Sequence, residues 1–182
     1  MRRFVAAITA LTLMVTAAVV FADSALAASP LTFDGQCQFA GTSSFSSAVT
    51  LIPSPIHNDV SATGTCSGSL AQPNGATIEL SDAPVQYEAT EFGSAESCEA
   101  DLDASGSGAL VFQQGSLDFR VVENRVSGQA LLAYTGRNGG SAKGIAYVNS
   151  ADPASLLEQC AAGGMTSAPV SIVFQTTPTI SG

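Results

Sequence analysis

The chain has 182 residues, a formal net charge of −9 at pH 7 and six Lys and Arg residues against fifteen Asp and Glu. After the N-terminal arginine pair the four remaining cations are scattered singly, so no basic patch can neutralise a run of phosphates, which excludes nucleic acid as a partner. Trp is absent, His occurs once, and Gly, Ala, Ser, Thr and Val are abundant, a composition typical of proteins secreted by bacteria with GC-rich genomes.

Residues 1–27 have the features of a secretory signal peptide. Arg2 and Arg3 supply the positive start, residues 4–22 are uncharged and largely apolar, and Ala25-Leu26-Ala27 has the small-x-small pattern of a cleavage site. The sequence therefore predicts export and a secreted, extracellular protein.

Cleavage leaves a single domain over residues 28–182 with a net charge of −10, because the signal removes two arginines and Asp23. The alternative is an uncleaved anchor that faces outside, since residues 4–22 approach the roughly 20 apolar residues that span a bilayer. No basic cluster follows Asp23, which favours cleavage and a mature protein without a membrane partner.

Apolar residues alternate with polar ones through the first third of the mature chain. Leu31, Phe33, Cys37 and Phe39 share one parity, and the alternation continues until Pro53 and Pro55. Val60, Ala62, Cys66 and Leu70 repeat the pattern. Period-two alternation predicts strands with one buried face, so both cysteines point towards the core.

Turn signals follow at short intervals. They are Pro73-Asn74-Gly75, Glu123-Asn124 and Asn138-Gly139-Gly140, each between two runs of alternating residues. Asn and Gly tolerate the positive φ angles of tight reversals, so these signals predict an antiparallel meander that ends in a strand near residues 169–176.

One segment departs from the strand pattern. Residues 152–160 begin with Asp152 at the N-cap and Pro153 at the first helical position, and Gly163-Gly164 closes the run. This predicts a two-turn helix before the last strand, with Cys160 near its end.

The fold class that follows is all-β: an antiparallel two-sheet sandwich of about nine to ten short strands, with one short helix near the C-terminus. A closed β-barrel is the alternative, because the same alternation serves both architectures.

Four cysteines in an exported chain predict two structural disulfides. Their spacing contains no C-x-x-C pair, which argues against zinc. Of the three possible connectivities we favour Cys37–Cys66 with Cys98–Cys160, because the first would tie two early strands and the second would tether the helix.

Catalytic constellations are not found. The single histidine, His57, lies between prolines and an Asn-Asp pair and is interpreted as a loop residue, and no G-x-S-x-G motif occurs. The many acidic residues are read as a solvated surface that keeps a β domain soluble. We therefore expect no enzyme, no catalytic residues and no cofactor-binding residues.

One acidic segment supports a metal hypothesis. Asp101, Asp103 and Ser105, followed by a glycine, match the first half of a calcium loop, and Glu96 or Glu99 could complete the oxygen ligands. The second half of the loop does not match, which excludes an EF-hand. Calcium is the one cofactor that the sequence suggests, and a solvated acidic loop is the alternative.

Three classes of function remain. The favoured one is a secreted, non-catalytic extracellular module that binds a protein, a glycan or a small ligand. The second is a carrier of a small apolar ligand, and the third is a secreted hydrolase with a carboxylate pair.

Overall fold

The computed structural model describes residues 30–126, 129–149 and 153–182. The predicted signal peptide and its cleavage site lie outside the described residues and stay predictions. The described chain forms eight strands and one helix. In chain order they are β1 (Thr32–Val49), β2 (Ser54–Ala71), β3 (Thr77–Glu96), β4 (Ala100–Phe112), β5 (Gly115–Val126), β6 (Gln129–Gly136), β7 (Gly139–Val148), α1 (Pro153–Ala162) and β8 (Met165–Ser181).

The eight strands form a closed antiparallel barrel in which each strand pairs with its neighbours in the chain and β1 pairs with β8. The all-β prediction is confirmed, and the architecture is the barrel that was given as the alternative; the favoured two-sheet sandwich is not formed. Alternation reports only that one sheet face is buried. Closure depends on the contact from Thr32↔Ser181 to Val49↔Met165, which joins the two ends of the domain.

The strands are fewer and longer than predicted. β1 is one strand of 18 residues, and β3 extends for 20 residues to Glu96. Glu123-Asn124 was wrongly interpreted as a turn: both residues lie inside β5, which runs on to Val126. The turns at Pro73-Asn74-Gly75 and before Gly139 lie where the sequence predicted them.

Aromatic side chains fill the interior of the barrel. Tyr87 of β3 and Phe119 of β5 have ring centroids 5.6 Å apart, Phe119 and Tyr134 of β6 are 5.1 Å apart, and Tyr134 and Phe174 of β8 are 4.9 Å apart. Phe39 of β1 packs on Tyr87 at 5.5 Å. Eight strands leave an interior that side chains can just fill, and these rings occupy it.

The two disulfides have the pairing that the sequence favoured, and the described chain has no free cysteine. Cys37 and Cys66 are direct neighbours in the β1–β2 ladder, with Cα atoms 4.1 Å apart. Two such bridges fit an oxidising compartment outside the cytoplasm. No helix in the described part of the chain has the length and hydropathy needed to cross a membrane.

The helix α1 lies between β7 and β8, as predicted, although its expected N-cap Asp152 is outside the described residues. The Gly164 N–H donates to the Gln159 carbonyl oxygen at 2.9 Å and ends the helix. Among the helix side chains that are described, Cys160 is the buried one. The bond from Cys160 to Cys98, in the β3–β4 turn, is therefore the main anchor of the helix.

We expect the double variant Cys98→Ser/Cys160→Ser to release α1 while the barrel persists. In the chain-entropy model each bridge contributes about 4 kcal/mol, but only this one holds the helix. Limited proteolysis should then give a first cut between β7 and β8. Cys37→Ser/Cys66→Ser is the matched control and should leave that segment protected; the same early cut in both variants would contradict the anchoring role.

Candidate binding site at the barrel mouth

The inner wall of the barrel changes its chemistry along two strands. On β5 the inward positions Leu117, Phe119 and Val121 are buried and apolar, and the next inward positions are Glu123 and Arg125. On β3 the apolar inward series Val85, Tyr87 and Ala89 is followed in the same way by Glu91. Because β3 and β5 both pair antiparallel with β4, they run in the same direction, so both changes fall at the same end of the barrel.

We call this end the polar mouth and define it by six side chains. They are Ser43, Asn58, Glu91, Glu96, Glu123 and Arg125. The opposite end is closed by apolar residues, which are Leu31, Phe33, Leu70, Phe112, Leu117 and Ile180. Charge is therefore concentrated at one end of a continuous core.

Arg125 connects the carboxylates of the mouth. Its Nη2 donates to Glu96 Oε1 at 2.7 Å and to the Ser97 carbonyl oxygen at 3.3 Å, and its Nε lies 3.9 Å from Glu123 Oε1. The side chains of Arg125 and Glu123 are 12% exposed and that of Glu96 is 3% exposed. Buried charges need such partners because the transfer of each ion from water into the protein interior costs on the order of several kcal/mol.

A small cavity lies inside the mouth. Its volume is about 40 Å³, and Glu91, Glu123 and Arg125 line one part of it. Ala130, Ala146 and Ala168, whose side chains are short, also line it. Ser43 and Asn58, whose hydroxyl and Oδ1 are hydrogen-bonded, also line the cavity. The space suits a few water molecules or the end-group of a ligand.

Gly106 of β4 lies against the backbone of β3 beside Glu91. A Cβ atom at position 106 would clash with the Thr90 carbonyl oxygen and would lie 2.7 Å from Glu91 Cα, closer than real Cβ contacts. The glycine therefore allows the backbones of β3 and β4 to approach closely at the level of the inward Glu91.

Two buried tyrosines lie beneath the carboxylates. The hydroxyl oxygens of Tyr87 and Tyr134 are 3.5 Å apart, and Tyr87 lines the cavity. Burial raises the pKa of Tyr87 well above its ordinary value, and the nearby Tyr134 and Glu91 raise it further. Burial also raises the pKa of Tyr134, which the hydrogen bond with Tyr87 partly offsets. Both hydroxyls thus stay neutral and protonated across the physiological range.

The structure describes the side chains of three of the five predicted calcium ligands. Glu96 is buried and bonded to Arg125, whereas Glu99 and Ser105 are exposed. The side chains of Asp101 and Asp103 lie outside the described residues. No group of three or more His, Cys, Asp or Glu within the described ranges could hold a metal ion. The calcium hypothesis stays a prediction, and Glu96 belongs to the mouth.

His57 does not lie in a loop, as its sequence context suggested. It is an exposed residue of β2, and its ring packs on Phe92 of β3 with the ring centroids 4.9 Å apart. β2 begins at Ser54, between the two prolines, and His57 pairs with Phe92 in the ladder with β3.

The sequence interpretation missed Glu91, Glu123 and Arg125. Glu91 was assigned to a solvated acidic segment and Glu123 to a turn. The available signal was parity: each charged residue continues the inward series of its own strand. An acidic residue at an inward-facing position of a long strand predicts a polar interior. The strands predicted from the sequence end before these residues, which were therefore not placed inside.

Comparisons with protein-family models, with curated proteins and with solved structures found no match for this chain. The site must therefore be interpreted from its own geometry.

Replacement of Arg125 by Met should lower the free energy of unfolding by about 3–5 kcal/mol at pH 7, because it removes the guanidinium group that contacts the buried Glu96 carboxylate. Urea unfolding measures this loss. Arg137→Met is the control: Arg137 is 3.3 Å from Asp118 in an exposed pair, and its loss should cost about 0–1 kcal/mol.

The tyrosine pair should make the fold sensitive to alkali. Unfolded tyrosines lose their protons near pH 10, whereas Tyr87 and Tyr134 keep theirs in the folded state. The stabilisation of the fold by these two tyrosines is fully present below about pH 10. Above that pH, the free energy of unfolding falls by about 1.4 kcal/mol per pH unit for each tyrosine. Unfolding curves between about pH 9 and 11.5 should show this slope. Tyr87→Phe should reduce it by about half, and an unchanged slope would contradict the burial effect.

Proposed function

We propose that this protein is a secreted, non-catalytic binding protein, and that its polar mouth receives the positively charged end-group of a ligand. The observation that carries the proposal is the buried group of Glu91, Glu96, Glu123 and Arg125 at one end of an otherwise apolar barrel interior.

The free-energy cost of burying these four charged side chains supports a functional role. A barrel that only had to be stable could fill both ends with apolar side chains, as the opposite end does with Phe33, Leu70 and Ile180. Replacing buried ion pairs with packed apolar residues is often neutral or stabilising. Retention of ionisable groups at a cavity is therefore typical of sites that bind or react.

The balance of charge supports a cationic ligand. The described side chains of the mouth include three carboxylates and one guanidinium, and two of the carboxylates, Glu96 and Glu123, lie 2.7 Å and 3.9 Å from that guanidinium. A positive group in the cavity would meet Glu91 and Glu123, which both line it. The hydroxyl of Tyr87 adds a neutral hydrogen-bonding group.

The size of the cavity supports an end-group rather than a whole molecule. Its volume of about 40 Å³ is much smaller than the roughly 300–1,000 Å³ of pockets that bind a drug-sized ligand. An ammonium or short alkylammonium group fits such a space, with the rest of the ligand outside the barrel. A carrier of apolar ligands gains no support from an interior filled by aromatic rings, and a glycosidase-like hydrolase would need room for a sugar.

Secretion belongs to the same proposal. Its support is the signal-like N-terminus together with the disulfides Cys37–Cys66 and Cys98–Cys160. Amines and basic peptides outside the cell are then the accessible ligands.

The test is a thermal melt with ammonium, methylammonium and butylammonium chlorides, matched in ionic strength with sodium chloride. A cation that binds only the folded state should raise the melting temperature as its concentration rises. Sodium acetate, which supplies an anion of similar size, should not raise it.

Glu123→Gln keeps the shape of a cavity residue and removes its charge, so it should abolish the alkylammonium effect. Glu91→Gln serves as a second variant, because Glu123 also lies near Arg125. Glu88→Gln, on the exposed parity of β3, is the matched control and should retain the effect. The proposal fails if no cation stabilises the protein or if Glu88→Gln loses the effect equally.

A further inference from the structure

One hydrogen-bond donor of the polar mouth has no acceptor among the described residues. The Nε–H group of Arg125 is buried and makes no hydrogen bond there, and the Oε1 atom of Glu123 lies 3.9 Å from it. The hydrogen bonds of this guanidinium to Glu96 and to the Ser97 carbonyl oxygen are made through Nη2. Because a buried donor without an acceptor is unfavourable, the Nε–H group is available to an acceptor that enters from outside the protein.

The cavity therefore combines acceptors with a donor. Glu91 and Glu123 line it with carboxylates, which accept hydrogen bonds from a cation, and Arg125 lines it with the guanidinium group that carries the Nε–H. A simple alkylammonium ion has donors and no acceptor, so it can satisfy the carboxylates alone. A ligand that satisfies the whole cavity must also place a neutral acceptor close to its ammonium group.

We propose that the ligand is a peptide with a free N-terminus, whose α-ammonium group binds Glu91 and Glu123 and whose first carbonyl oxygen accepts a hydrogen bond from Arg125 Nε. This inference rests on the proposed function and specifies its ligand. In a peptide, two carbon atoms separate the terminal nitrogen from the first carbonyl oxygen, so both groups can enter one small cavity. A free amino acid brings a carboxylate in place of the neutral carbonyl group, and Glu91 and Glu123 would repel it.

The volume of the cavity limits the first residue of the peptide. A water-sized group needs roughly 10–15 Å³, so the cavity of about 40 Å³ holds about three such groups. The ammonium group, the Cα methylene and the carbonyl group fill that space. A large first side chain would meet the buried lining residues Tyr87, Ala130 and Leu132, so we expect glycine at this position.

The rest of the peptide can leave the cavity beside two aromatic residues. Phe45 of β1 and Tyr147 of β7 both line the cavity, and they are half-buried and 43% exposed respectively. Lining residues that reach solvent mark the place where the cavity meets the surface. The residues after the first would therefore lie outside the barrel, where the small cavity volume does not restrict them.

Calorimetric titration of the purified protein with glycinamide and with isobutylammonium chloride, at matched ionic strength, tests the proposal. The two cations have the same number of heavy atoms, and both are fully charged at about pH 6.5, below the α-ammonium pKa of about 7.7–8.0. Only glycinamide has the carbonyl oxygen. It should bind about tenfold more tightly, as expected for a hydrogen bond to a charged donor.

The two proposals fail in different ways. If isobutylammonium binds and glycinamide binds no more tightly, water satisfies the Arg125 Nε–H group, and the peptide inference fails while the proposed function stands. If neither cation binds, both fail. Tighter binding of 2-aminoethanol than of glycinamide would identify an amino alcohol and overturn the peptide.

Two further ligands test the placement of the peptide end-group. N-acetylglycinamide has no ammonium group and should not bind, and leucinamide should bind more weakly than glycinamide because its side chain exceeds the space. Equal binding of leucinamide and glycinamide would place the end-group outside the cavity and overturn the assignment.

Arg125→Lys keeps a positive charge near Glu96 but has no N–H group at the Nε position, so the preference for glycinamide should fall to about equal affinity. Arg120→Lys, at an exposed position of the same strand, is the matched control and should keep the preference. If Arg125→Lys does not fold, NMR of the unmodified protein decides. The Arg125 Nε–H resonance should shift with glycinamide much more than with isobutylammonium, and equal shifts would overturn the inference.

Discussion

Pairing between β1 and β8 closes the sheet, and the interior of the protein exists because of that contact. The ladder runs from Thr32↔Ser181 to Val49↔Met165, so the first and last strands of the domain must meet before any inward side chain is fully enclosed. Closure removes both sheet edges, which would otherwise expose unpaired backbone groups. It also turns the inward positions of all eight strands towards one another, and the rings of Tyr87, Phe119, Tyr134 and Phe174 then pack across the barrel.

Enclosure within the barrel also strengthens the electrostatic interactions between the charged residues of the mouth. In an open sheet, Glu123 and Arg125 would be solvated surface residues and their attraction would be weak. Inside the barrel they lose water, and Arg125 must satisfy Glu96 and approach Glu123. A lower local dielectric strengthens these interactions and would equally strengthen the attraction of a ligand cation to the carboxylates. The mouth is thus a place where a small group could bind tightly with few contacts.

The charged residues are unevenly distributed both inside the barrel and on its outer surface. The interior carries its charges at one end, on β3 and β5, whereas the exterior lacks acids on β6, β7 and β8. Strand alternation keeps the two sets of residues apart, because residues 123 and 125 face inward while 122 and 124 face outward on the same strand. The strand β5 therefore contributes Glu123 to the mouth and Val122 to the outer surface of the barrel.

The sequence by itself determined the all-β class, the meander order, the helix before the last strand and the inward parity of Cys37 and Cys66. These properties are local: alternation, turn residues and helix caps act over a few positions. Only the tertiary structure decided that the sheet closes, because sandwich and barrel share one alternation and differ in a contact between chain ends. It also decided that Glu91, Glu123 and Arg125 form one buried site. Their sequence separation hides that meeting, and only the registers of β3, β4 and β5 bring them to the same end of the barrel.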